Sequence, residues 1–229
     1  MKVITRWLEV IFVTLLLPVG AVLGALTGVA VLGPIMAVCL PLGVVTIVFR
    51  LRGESWGDLD LFRSLTVKSL AGWATLALVG TFILGNYVVA PLLTRLGVAP
   101  TDVSALVFLL EGNLVNYLLF LIPVSWCSAA IGEELLVRGY LLNRLESLSG
   151  TWFAVVTQAA IFALAHIYQG WMGVINIFVL ALVFGVIFIR CGRSLWPLII
   201  AHGLIDTIAV TLIYIGRADL LIGADSEVS

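Results

Sequence analysis

Hydrophobic residues run along this chain in long stretches, and polar positions gather into short connections between them. A helix needs about 20 mainly apolar residues to cross a bilayer. Seven stretches are candidates: residues 8–30, 33–49, 69–93, 113–143, 152–168, 172–190 and 195–215. The first two are separated only by a tight turn expected near Gly33 and Pro34. The fourth is too long for one straight span; Pro123 is placed to kink it, and its end beyond Arg138 is expected to run along the interface. The pattern predicts an all-α, polytopic integral membrane bundle of about seven transmembrane helices, one membrane domain over residues 1–229 with N-terminal spans in 1–110.

Composition points the same way. Hydrophobic residues make up 62% of the 229 positions and charged residues 11%, where a water-soluble domain carries about a quarter charged. The lipid bilayer is therefore the expected surrounding, and a net charge of −1 argues against a nucleic-acid partner. Cys39, Cys127 and Cys191 lie in or beside apolar stretches without a pairing motif and read as small apolar fillers. The start, "MKVITRWLEVIFVTLLL", has the basic residue and apolar run of a signal peptide. That run continues past Leu32 without a persuasive cleavage site, so a retained first span is expected.

Lysine and arginine set the expected orientation. With a cytoplasmic N-terminus, alternating spans place Lys2, Arg6, Arg50, Arg52, Arg63, Lys68, Arg138, Arg144, Arg190 and Arg193 toward the cytoplasm, and only Arg95 and Arg217 outside. Ten against two is the positive-inside bias, favouring N-in and C-out, in the plasma membrane if the source is prokaryotic. Trp7, Trp152, Trp171 and Trp196 fall at span ends, as an aromatic belt requires. The connection 50–68 mixes both charges with apolar residues and reads as a solvated connector along the cytoplasmic interface, with a substrate-docking surface as the alternative. No internal repeat is visible, and the tail "GADSEVS" is polar and expected to fray.

Ionisable groups at bilayer depth cost at least about 2.5–3.5 kcal/mol each and are functional by default. They occur here as Glu133, Glu134 and Arg138 in "GEELLVRGYL", His166 in "FALAH", and His202 and Asp206 in "HGLID". On an α-helix Glu134 and Arg138 share a face and can pair, while Glu133 is turned about 100° away. One acid is then scaffold and the other is available for chemistry. His202 and Asp206 stand one turn apart on a shared face. Glu134–Arg138 alone reads as a structural ion pair and a lone buried histidine as a satisfied core residue. A convergence of these groups from three spans reads as a catalytic or ion-handling site.

The three motifs "EELLVR" (133–138), "FALAH" (162–166) and "HGLID" (202–206) resemble the signature EExxxR, FxxxH, HxxxN/D of the CAAX protease and bacteriocin-processing (CPBP) family of intramembrane proteases. The resemblance covers roughly residues 120–210 and implies a catalytic core over 113–215. It implies an intramembrane endopeptidase in which Glu133 and His166 activate water, His202 and Asp206 support the oxyanion, and Glu134 and Arg138 hold the helix. The chemistry is consistent: amide hydrolysis needs a base, burial makes a carboxylate a better one, and an oxyanion needs placed donors. Asp206 departs from the asparagine of other members, since a carboxylate accepts but does not donate. It serves either protonated, or by fixing the tautomer of His202.

Glu133, His166, His202 and Asp206 also make an acceptable zinc set, but HExxH is absent and no cofactor is expected. The expected partner is a membrane-embedded or lipid-anchored peptide or protein. The competing readings are an ion- or proton-coupled transporter using the same groups as a relay, against which no inverted repeat is seen, and a non-proteolytic membrane adaptor with a peptidase fold.

Overall fold

A computed structural model of the chain describes residues 2–222; the polar tail lies outside them. Every regular element among those residues is a helix. Six are long and apolar enough to cross a membrane. They are α1 (Lys2–Ala25), α2 (Leu32–Arg52), α3 (Val67–Arg95), α4 (Leu114–Ser149) and, after the shorter α5 (Thr151–Leu164), α6 (Gly170–Arg190) and α7 (Trp196–Tyr214). The protein is an all-helical membrane bundle.

Helices α1 and α2 form a close hairpin. A Cβ on Gly20 or Gly24 would lie 2.2 Å from the carbonyl oxygen of Met36 or Leu32, so the two backbones touch there, the usual work of small residues spaced four apart between membrane helices. The turn between them falls at residues 26–31, earlier than expected. It is closed by the Thr27 hydroxyl donating to the Gly24 carbonyl at 2.6 Å and by Gly28 at φ 73°. Gly33 and Pro34 instead open α2, where a proline loses no hydrogen bond by lacking an N–H.

The expected span 152–168 is interrupted. Its helix, α5, has 14 residues and rises about 21 Å, short of a hydrocarbon core of about 30 Å. After Leu164 the chain tightens, with His166 N–H on the Ala163 carbonyl. A 3₁₀ turn follows at Ile167–Gln169, and Gly170 at φ 76° reverses the direction into α6.

Helix α4 runs unbroken through Pro123, and its turns widen rather than stop: Phe120–Glu133 and Leu135–Leu142 are wound in the π manner. Asn143 supports this stretch, its Nδ2 donating to the carbonyls of Arg138 and Gly139. The end beyond Arg138 does not run along the interface as expected. Leu141, Leu142 and Leu145 are fully buried in a core shared with Phe184, Phe188, Leu195 and Leu198, because α5, α6 and α7 close around it. In α6 and α7, 44% of the membrane window is buried within the protein, against 11% in α3; the former pair is central and α3 peripheral.

Arg52 and Arg144 pair with Glu9, Arg144 with Glu54, and Arg193 with Glu146. These contacts gather the start of α1 and the ends of α2, α4 and α6 at one pole. The connection 50–68 belongs to that pole and is packed rather than merely solvated. Leu61 is buried against Gly139, where a Cβ would meet its Cδ1 at 2.8 Å, and its carbonyl accepts from Leu195 N at 2.8 Å. No cysteine is bonded; Cys39 and Cys127 are exposed on outer helix faces, and only Cys191 is a buried filler.

Candidate active site

Helices α4 and α7 run antiparallel, joined by three side-chain contacts. Tyr117 Oη lies 3.1 Å from Thr211 Oγ1, and Trp126 Nε1 donates to Thr207 Oγ1 at 3.1 Å. The third joins Glu134 to His202 at 2.9 Å. The register is tight because Gly203 carries no side chain: a Cβ there would fall 2.6–2.7 Å from three atoms of the Trp126 ring.

The closed side of the site is built on Arg138. Its side chain and that of Glu134 are wholly buried and joined at 2.9 Å. The guanidinium also donates to the Ala181 carbonyl at 3.3 Å and lies 5.2 and 5.3 Å from the ring centres of Phe162 and Phe184. Gln158 Nε2 donates to the same Ala181 carbonyl at 3.1 Å. An isolated buried ion costs several kcal/mol; here a carboxylate, a carbonyl and two ring faces surround it.

Glu134 does more than neutralise the arginine. Its Oε1, already accepting from Arg138, also accepts from His202 Nδ1. That bond fixes the Nδ1–H form of the ring and directs Nε2 into the site. Nε2 lies 3.8 Å from Glu133 Oε2 and 3.9 Å from Asp206 Oδ1. These distances exceed a hydrogen bond and suit a bridging water or a substrate oxygen. Neighbouring glutamates on an ordinary α-helix diverge by about 100°. The wider π turns reduce the divergence, so Glu133 and Glu134 reach opposite nitrogens of one imidazole. Glu133 and Asp206 keep 19% and 29% of their side-chain surface accessible, against none for Glu134 and Arg138. The site therefore opens on the Glu133–Asp206 side.

His166 stands at the end of α5, half-buried. Its Nδ1 donates to the Phe162 carbonyl at 2.8 Å, which leaves Nε2 as its free nitrogen. No hydrogen bond joins His166 to Glu133 among the described residues. The Phe162 ring neighbours both imidazoles, 4.8 Å from His166 and 6.4 Å from His202, centre to centre. Glu133, Glu134, Arg138, His202 and Asp206 thus form one connected group, and His166 adjoins it across Phe162.

Tyr168, which motif reading passes over, packs on His166 at 5.8 Å between ring centres. Its only signal in the sequence is its place two residues after "FALAH". Among the described residues no three of histidine, cysteine, aspartate and glutamate converge as ligands for an ion.

Residues 115–208 match the family model of the type II CAAX prenyl endopeptidases, Rce1-like. That segment is what the chain shares with the family. It contains Glu133, Glu134, Arg138, His166, His202 and Asp206, and α1, α2 and α3 precede it. The match agrees with the CPBP resemblance and relates the protein, at the level of the family, to CAAX-type membrane proteases. No curated protein and no solved structure matches the chain.

Proposed function

We propose that the protein is an intramembrane endopeptidase that hydrolyses a peptide bond in a membrane-embedded or lipid-anchored substrate, with its N-terminus in the cytoplasm. The observation that carries this reading is the arrangement around His202. Its Nδ1 is tied to a buried ion pair, and its Nε2 faces two accessible carboxylates at 3.8 and 3.9 Å.

In this reading a water lies between Glu133 and the ring, and Glu133 removes its proton as the oxygen attacks the carbonyl carbon of the substrate. The carbonyl oxygen becomes an oxyanion beside Nε2 of His202, which donates to it when the ring is charged. Collapse of the intermediate breaks the C–N bond, and the proton held by Glu133 leaves on the amine. His166, with Nδ1 committed to Phe162, offers Nε2 as partner in that transfer. Asp206 lines the oxyanion side and holds the charged ring by its own charge. No step passes through a metal.

The test compares peptides in membranes of cells making the wild type and Glu133→Gln. The expected result is a set of peptides lost only with the wild type and restored as cleavage products on the addition of purified enzyme. Identical peptide sets would overturn the assignment.

A further inference from the structure

Where α1, α2, α4 and the connection 50–68 meet at the charged pole, they leave a cavity of about 200 Å³ between them. Its walls include Arg6 from α1, Phe49 from α2, Glu54 and Leu59 from the connection, and Tyr140 and Arg144 from α4. No residue of the candidate active site lines it.

The polar groups in these walls are spent on protein partners, with one exception. Arg144 is held by Glu9 at 3.2 Å and by Glu54 at 2.8 Å, both through Nη2, and the Tyr140 hydroxyl donates to Glu9. Asn143 gives its Nδ2 to carbonyls of its own helix and its Oδ1 to Arg193, and Ser147 donates to the Arg144 carbonyl. Arg6 is half-buried, yet among the described residues it has no ion pair, hydrogen bond or ring contact. A guanidinium offers only donors, and its fork matches phosphate oxygens.

The surrounding charge has the same sign. Arg52, Arg144 and Arg193 are matched by Glu9, Glu54 and Glu146. What remains at this pole is Arg6, Arg50, Arg63, Lys68 and Arg190 against Asp58 and Asp60. The opposite pole has Arg95 and Arg217 against Asp102, Glu111 and Asp219. Basic pockets between membrane helices on the cytoplasmic side are where anionic headgroups bind.

Size and position narrow the ligand. The cavity is smaller than the roughly 300–1,000 Å³ of an ordinary small-molecule pocket, so it takes a group rather than a whole molecule. Leu8, Ile11 and Leu15, exposed along α1, run on from this level into the bilayer and suit acyl chains. We propose that this cavity binds the phosphate of an anionic phospholipid headgroup, with Arg6 as its principal contact.

The test follows the thermal midpoint of the detergent-purified full chain on addition of phosphatidylglycerol, phosphatidylcholine or inorganic phosphate. Phosphatidylglycerol is expected to raise the wild-type midpoint by several degrees, and the other two to leave it nearly unchanged. Arg6→Gln breaks no protein contact; it should start near the wild-type midpoint and lose most of the increment. Arg50→Gln makes the same charge change at an exposed position outside the cavity and should keep the increment.

Equal losses from Arg6→Gln and Arg50→Gln would assign the effect to diffuse surface charge and overturn the proposal. So would an increment in Arg6→Gln as large as the wild type's. An Arg6-dependent shift with inorganic phosphate alone would make the ligand a soluble phosphate and overturn the lipid assignment. Native mass spectrometry of the wild type reads the site without any substitution. Retention of phosphatidylglycerol in preference to phosphatidylcholine is expected, and the absence of a preference would overturn the proposal.

Discussion

Nδ1 of His202 lies 2.9 Å from Oε1 of Glu134, the same oxygen that takes Nη1 of Arg138 at 2.9 Å. One atom thus ties the helix bearing the acid pair to the helix bearing the second imidazole. Removing one member of a buried ion pair typically costs about 3–5 kcal/mol, because the other is left uncompensated. Arg138→Met is expected to lower the thermal midpoint of the detergent-purified protein sharply. Arg138→Lys should restore little, since an ammonium cannot match the guanidinium that reaches Glu134 and Ala181 together and lies against two rings.

Adjacent glutamates should fail in different ways. Glu133 has no direct hydrogen bond among the described residues and keeps part of its surface. Glu133→Gln is therefore expected to reduce turnover by about 10²–10⁴, the range for loss of a general base, with the melting curve unchanged. Glu134→Gln should lower both, since it strips charge from a fully buried pair. Thermal melts beside cleavage assays check the contrast; matching profiles for the two variants would refute it.

Gly203 sets how near α7 comes to Trp126. Gly203→Ala forces a Cβ into the indole, and overpacking of this kind costs about 1–3 kcal/mol. The neighbouring His202 should shift with the helix, so activity is expected to fall as well. Adding Trp126→Phe makes room and should recover part of the stability, which a double-mutant cycle measures.

Metal removal is the fourth test. Both imidazoles commit Nδ1 to protein oxygens and leave Nε2 for either a proton or a metal; the proposed reaction uses the proton. Cleavage is expected to survive prolonged treatment with EDTA and 1,10-phenanthroline, with elemental analysis finding less than one zinc per chain. Loss of activity that returns on adding zinc would contradict this.

At the pole of paired charges, Tyr140→Phe deletes the 2.9 Å bond from its hydroxyl to Glu9 but leaves Arg52 and Arg144 in place. A loss of about 1.5–3 kcal/mol is expected, the range for a hydrogen bond to a charged group. Glu9→Ala, which strands Arg52 and takes one of two carboxylates from Arg144, should cost more. Denaturation in the same detergent ranks the two.

Much of this was legible in the chain. Runs of apolar residues located the six long helices, and ionisable groups out of place in those runs named Glu133, Glu134, Arg138, His202 and Asp206. What stayed hidden depends on backbone geometry. The π winding of α4 leaves no mark in a count of hydrophobic residues, yet it turns Glu133 and Glu134 toward one ring. The apolar run 152–168 conceals a stop at Leu164, since a 3₁₀ turn and a reversal at Gly170 are compatible with the same hydropathy. Tyr168 was passed over for that reason: in an unbroken helix it would be one more interfacial aromatic, whereas the turn brings it beside His166.

The placement of Glu9 bears on how the protein is made. Its carboxylate is synthesised 43 positions ahead of Arg52 and 131 ahead of Tyr140, so for most of translation its later partners do not exist. Arg52 closes the very hairpin that Glu9 opens, so that pair can form before the later helices are made. The later-made Tyr140 and Arg144 then dock onto a carboxylate already held in place by the hairpin.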